Sequence, residues 1–332
     1  MIDLHLHLDG SLDVMDCIYL AEKYDIELGD DFPLNLFVPQ DCPSLKDYLT
    51  RFNVPLSLLQ NKEGLELSAK TLVKRLSSMG YIYAEIRFAP LLHLEKGLTM
   101  DEVVESVLKG IEDGLKECPD FECGLILCSM RHASLELNKE TIEVANRFKG
   151  TRVVGVDLAG DETLYPCSHY KEIFDLAKKY HLNITIHAGE ATGNDEILMA
   201  LDNGAARIGH GVHLSLDKQT IERVKRDNIC FEFCPTSNLQ TKSLMSYLDV
   251  PLRQFLDNGI DVTINADNMT VSNVSAISEM KTMVKTFNLS KEEVNRLLSN
   301  SINHSFTNEK VKEKLKEKLA SRIDEYYEYL KN

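Results

Sequence analysis

Several things are missing from this chain. No apolar run approaches the ~20 residues that a membrane-spanning helix needs, so no membrane partner is expected. The opening MIDLHLHLDG has no basic segment ahead of an apolar core, so no secretory leader is expected and the cytoplasm is the expected compartment. No two of the eight cysteines form C-x-x-C. They read as reduced, mostly buried thiols rather than a disulfide frame. Cys230 and Cys234 would share a strand face, where packing is favoured over a functional pair. Lys and Arg are scarce: 37 stand against 52 acidic residues, for a net charge of −15. Phosphates need Lys and Arg, so this surface argues against nucleic acid and fits small-molecule chemistry. No low-complexity linker or repeat divides the chain, and one domain over residues 1–332 is expected. The sequence carries no signal for an oligomeric state.

What is present has a rhythm. Hydrophobic residues make up 43% of the 332, ordinary for a globular protein. Short apolar β-rich runs recur at Ile2–Leu8, Tyr81–Phe88, Gly124–Met130, Val153–Ala159, Asn183–His187, Ala206–His210, Cys230–Phe233 and Asp261–Asn265. Their apolar character is that of strands buried on both faces of a parallel sheet. Between them, Leu65–Met79, Asp101–Leu115, Thr141–Phe148, Tyr170–Tyr180, Asp195–Asn203 and Asp217–Asp227 carry helical spacing, and Gly80 fits a helix stop. Such alternation predicts an α/β fold, a (β/α)₈ TIM barrel. More than seventy residues separate the first two strands, including a Pro/Asp-rich stretch, Phe32–Pro43. An insertion there lies at the C-terminal face of a barrel, where it can cover a site. Ser290–Leu298, Asn308–Lys318 and Ser321–Leu330 read as extra C-terminal helices.

Four motifs carry chemistry. His5-Leu6-His7 puts two imidazoles on one strand face, where they can share a metal ion or form a hydrogen-bonded core pair. Asp9 continues their parity. His187-Ala188-Gly189-Glu190 closes the fifth strand, and Gly189 lets the chain turn so that Glu190 nears whatever His187 holds. A helix-terminal Glu or surface carboxylate is the competing reading. Gly209-His210-Gly211 ends the sixth strand, with steric room beside the histidine or simply a turn. Asp267 ends the eighth, as a metal ligand or a helix cap. Polar groups therefore gather at the ends of strands one, five, six and eight, where one barrel site would draw them. His and Asp suit a borderline ion such as zinc.

With Tyr83-Ala84-Glu85-Ile86-Arg87-Phe88-Ala89-Pro90, Asp157-Leu158-Ala159-Gly160-Asp161-Glu162, Cys234-Pro235-Thr236-Ser237-Asn238 and Asn265-Ala266-Asp267-Asn268, these motifs resemble the adenosine deaminase family of amidohydrolase-type barrels. They occur in family order from residue 2 to about 270. The resemblance implies one Zn²⁺ per chain, held by His5, His7, His187 and Asp267. It implies Glu190 as proton donor to the purine ring, His210 beside the reacting water, and Asp267 as an acceptor from that water. His7, Asp9, Gly160 and Asn268 would contact substrate: Asp9 the ribose, the Gly160 backbone the purine edge, Asn268 the N7. Many relatives have two aspartates where this chain has Asp267-Asn268. An amide donates without a pKa shift, so the N7 contact is kept.

The implied reaction is hydrolytic deamination of adenosine and 2′-deoxyadenosine to their inosine counterparts in purine salvage, with a small-molecule purine nucleoside as partner. The alternative is a deaminase of free adenine or of a modified adenine nucleoside or nucleotide. A silent nucleoside-binding protein ranks lower, because every implied catalytic residue is present. The Cys-bound zinc design of other deaminases is absent, since no P-C-x-x-C occurs. A bridging Lys for two metals is also missing from Val153–Gly160. Glu85 and Arg87 are expected as structural partners inside the barrel.

Overall fold

The structure is a computed structural model that describes residues 1–39 and 42–331. Gln40 and Asp41, inside the Pro/Asp-rich stretch, lie outside the described residues.

Eight strands form where apolar β residues cluster: β1 Ile2–His7, β2 Tyr83–Phe88, β3 Glu122–Met130, β4 Val153–Ala159, β5 Thr185–Ala188, β6 Arg207–His210, β7 Cys230–Phe233 and β8 Asp261–Ile264. Each corresponds to a predicted strand. They pair in parallel, in sequence order, as β1–β4 and β5–β8. Two seams join these halves. A bridge pairs Val156 with Ile184, and Val156 N–H donates to the Asn183 carbonyl at 2.9 Å. At the other seam Leu6 bridges Asp267. There His7 N–H donates to Asp267 O at 2.7 Å, and Asp267 N–H to His5 O at 2.8 Å. The strands thus run round a complete ring, the expected (β/α)₈ arrangement.

Helices alternate with the strands and carry their own stop and start signals. Thr99 and Glu102 form a reciprocal cap for Met100–Glu117, and Ser134 caps Leu135–Arg147. Gly80 has φ +85°, the left-handed stop for which its lack of Cβ suits it. The insertion after β1 holds helices Val14–Tyr24, Leu45–Leu49, Asn53–Leu58 and Lys62–Ser78.

Two expectations at the C-terminus need correction. Asn308–Lys318 and Ser321–Leu330 are one helix, Glu309–Lys331, because no Gly or Pro interrupts them and Leu315, Leu319 and Leu330 are all buried. A helix at Ala276–Phe287 was not foreseen; Ser275 caps it, so Asp267 is not its cap.

The barrel interior is not wholly apolar. Glu85, Arg87, Asp157, Arg207 and Glu232 project from strands and are fully buried. Arg207 pairs with Glu85 at 2.7 Å and with Glu232 at 2.6 Å. The expected interior roles of Glu85 and Arg87 hold, with each paired to other strands rather than to each other. Buried charge is tolerated where every ion meets an opposite one, and stranding one partner is costly.

Candidate active site

The period of β1 sends His5 and His7 into the barrel mouth, where His187 arrives from β5. One ring nitrogen from each lies within 4.8 Å of the others, and His5, His210 and Asp267 form a second such group. His7 Nε2 stands 3.3 Å from His187 Nε2. Asp267 Oδ1 lies 3.5 Å from Nε2 of both His5 and His7.

The outer nitrogens of two rings are already committed. His5 Nδ1 bonds Glu232 at 2.8 Å, and His187 Nδ1 bonds Asp157 at 3.0 Å. A carboxylate at Nδ1 keeps the proton there and leaves Nε2 a bare lone pair, as a metal ligand requires. His5 Nε2 is buried and has no hydrogen-bond partner. A hydrogen-bonded core pair would not leave that atom orphaned, whereas a cation among the four groups would satisfy it. The donor set fits zinc.

Electrostatics agree for His5, His7 and Asp267. Burial pushes the His5 and His7 imidazoles down, towards the neutral form. For His187 burial also lowers the value, but Asp157 outweighs it and the net shift is upward. Burial would raise Asp267, yet the surrounding imidazoles hold it well below the usual carboxylate range, as an anion.

His210 differs from the other three. The Asn238 amide nitrogen lies 3.1 Å from its Nδ1, and with that amide donating, Nε2 is left to carry the hydrogen. That nitrogen is 3.7 Å from Glu190 Oε2. Both His210 and Asp267 are non-glycine residues in left-handed backbone, at φ 62° and 60°. Such strain collects at functional sites. The glycines around His210 serve the protein's own packing rather than a ligand. A Cβ on Gly209 would come 3.0 Å from His5 Cε1, and one on Gly211 2.4 Å from Phe231.

Glu190 is buried, neither a surface carboxylate nor part of the next helix, which starts at Asn194. Burial raises its pKa, with His210 opposing. Thr241 Oγ1 donates to it at 3.1 Å. Its loop is pinned by Glu162, whose carboxylate accepts backbone N–H groups from Gly189, Ala191 and Thr192 at 2.9, 2.5 and 2.8 Å.

A cavity of about 400 Å³ opens beside these groups, within the range of small-molecule sites. His7, Asp9, Gly160, Glu190, His210 and Asn268 all line it. Asp9 follows β1 in a short turn; burial lifts its pKa to about 6. Asn268 lies so close to Gly10 that a Cβ there would sit 1.8 Å from Asn268 Oδ1. The apolar wall comes from the insertion, through Leu45, Leu49, Phe52 and Leu56.

A family model described as adenosine deaminase matches residues 1–322. The chain belongs to the adenosine deaminase family. An adenosine deaminase from Haemophilus ducreyi is 41% identical over 314 residues, covering 92% of this chain and 91% of its own. One from Clostridium perfringens is 42% identical, covering 93% and 94%. The crystal structure of adenine deaminase from Arthrobacter aurescens superposes with a TM-score of 0.86 at 24% identity, covering 100% and 99% of the two chains, a likeness of fold alone. Membership in the adenosine deaminase family makes the chain a hydrolytic deaminase.

The structure brings together every site residue that the sequence singled out. Sequence reasoning missed the residues behind them. Glu162, Asp157 and Glu232 are carboxylates in or just after apolar strands, a signal in itself, because unpaired charge is not buried. Tyr48 and Thr241 left no comparable mark, and Asn238 stood only at the end of a motif, with no role attached.

Proposed function

We propose that this chain hydrolyses adenosine and 2′-deoxyadenosine to inosine and 2′-deoxyinosine plus ammonia, as a step of purine salvage. The proposal includes one zinc ion per chain. The observation that carries it is the orphaned His5 Nε2 among His7, His187 and Asp267 at the cavity floor, with buried Glu190 alongside. His5, His7, His187 and Asp267 would hold the ion. When bound, zinc acidifies a coordinated water to a pKa of about 7.

The chain's own groups do the rest. Glu190, whose pKa burial raises, gives its proton to purine N1 and so makes C6 electrophilic. Asp267 accepts a hydrogen bond from the attacking water. His210 donates from Nε2 to the oxygen that joins C6. The Gly160 backbone binds the purine edge, and Asn268 donates an amide hydrogen to N7. Asp9 holds the ribose, with His7 beside it. Water adds at C6; one of its protons passes by way of Asp267 to the amino group, which leaves as ammonia, and the other returns to Glu190 as the C6–oxygen double bond forms.

Charge favours a nucleoside over a nucleotide. Asp9, Asp161 and Asp267 line the cavity, and among the described residues no Lys or Arg does. A 5′-phosphate would find no guanidinium or ammonium there to pair with. A free base would offer Asp9 no ribose hydroxyl to accept from. Eight free, buried cysteines support a reducing, cytoplasmic compartment.

The deciding assay follows the loss of adenosine absorbance near 265 nm, with adenosine, adenine and N6-methyl-AMP, before and after chelation. Turnover of adenosine, lost on chelation and restored by zinc, is expected. Preference for adenine or N6-methyl-AMP would overturn the substrate, and chelator-resistant turnover the metal.

A further inference from the structure

Arg87 grips two carboxylates at once. Its Nη1 donates to Asp157 Oδ2 at 2.9 Å, and its Nη2 to Glu232 Oε2 at 2.8 Å. These are the carboxylates that hold imidazoles. Glu232 Oε2 also takes His5 Nδ1, and Asp157 takes His187 Nδ1. An unbroken chain of contacts therefore runs His5–Glu232–Arg87–Asp157–His187, across β1, β7, β2, β4 and β5. Arg87, Asp157 and Glu232 are 0% exposed, so no water competes for the fork. The Leu4 carbonyl braces the arm that meets Glu232, accepting from Nη2 at 2.5 Å.

We infer that Arg87 is a positioning residue that couples His5 and His187, so that two of the proposed metal ligands are set as one unit. The inference rests on the zinc site proposed above. Each ring's direction is governed by its partner at Nδ1. A planar guanidinium joins those partners rigidly, so turning one carboxylate tilts the fork and moves the other. A Lys ammonium, a point charge on a flexible stem, would not transmit that motion. Arg207 is the natural control: it is equally buried, but its carboxylate partners are Glu232 and Glu85.

The test is zinc affinity by chelator competition on the full chain, with circular dichroism reporting the fold. Wild type is expected to bind one zinc that His5→Ala loses. If His5→Ala keeps full affinity, the metal site itself is overturned. With that site intact, Glu232→Gln and Asp157→Asn should each weaken zinc by roughly 10- to 100-fold. Their combined loss should depart from the product of the two by at least about threefold. In an Arg87→Met background the losses should multiply, and Arg87→Lys serves should the Met variant not fold. In an Arg207→Met background the departure should persist. Simple multiplication with Arg87 present, or the same departure without it, overturns the coupling while leaving the metal site standing. A second readout needs no double variant: Glu232→Gln should shift the low-field Nδ1–H proton resonance of His187, and an unmoved resonance overturns the inference.

Discussion

The Asn268 side-chain amide donates to the Tyr48 hydroxyl at 2.8 Å, and the same hydroxyl meets Ser272 Oγ at 2.8 Å. A residue of the insertion thus holds the residue proposed to face N7. Tyr48 sits in a small cluster with Cys42 and Val271, and Val38 N–H reaches the Val271 carbonyl at 2.8 Å, so the insertion is docked on the segment after β8.

Tyr48→Phe removes the acceptor and frees the amide to turn. The adenosine KM should rise by roughly 2- to 10-fold, the worth of one hydrogen bond, with zinc content unchanged and kcat less affected. Steady-state kinetics beside metal analysis checks this. An unchanged KM would show that Gly10 packing alone holds Asn268.

Glu190→Gln keeps an acceptor for Thr241 but has no proton to give. kcat should fall by about 10²- to 10⁴-fold, the usual worth of general acid help, while the zinc content stays at the wild-type level. A fully active variant would end the proton-donor role.

Glu279 supplies a pH prediction. It is buried on the helix behind the site, with one oxygen lacking any partner. Burial, reinforced by Asp3 and Asp267, lifts its pKa from 4.5 to about 8. Between those values the folded chain keeps a proton that the unfolded chain has released, so stability falls as pH rises through the window. Glu279→Gln cannot ionise. Its melting temperature should decline less between about pH 5 and about pH 9. At the upper end it should exceed wild type by about 2–4 °C. Melting curves of the chelated protein decide, and parallel pH profiles for the two proteins would refute the assignment.

The fold was legible because parallel strands buried on both faces are apolar almost throughout, and each of the eight stands out against amphipathic neighbours. The site was legible because barrel chemistry collects at strand ends, where His187, His210 and Asp267 interrupt apolar runs. The two glycines around His210 misled: they looked like room for a ligand, and they make room for His5 and Phe231. The last helix was read as two, although only Leu319 and Ala320 lie between the segments and neither breaks a helix. Tyr48 was out of reach, since a five-residue helix inside an insertion has no periodicity to read. The Arg87 fork was half visible, as charge inside a strand, but which strands it joins is a matter of three-dimensional register.

The seam between β1 and β8 sets a schedule as well as a shape. His5 and His7 exchange backbone hydrogen bonds with Asp267, more than 250 residues later. During synthesis the histidine pair of β1 waits for its acidic partner until all eight strands have been made. Contacts this remote are slow to form. In the proposed metal site the acidic ligand joins the two histidines only when the first and last strands meet, so capture of the ion would double as a signal that the ring has closed.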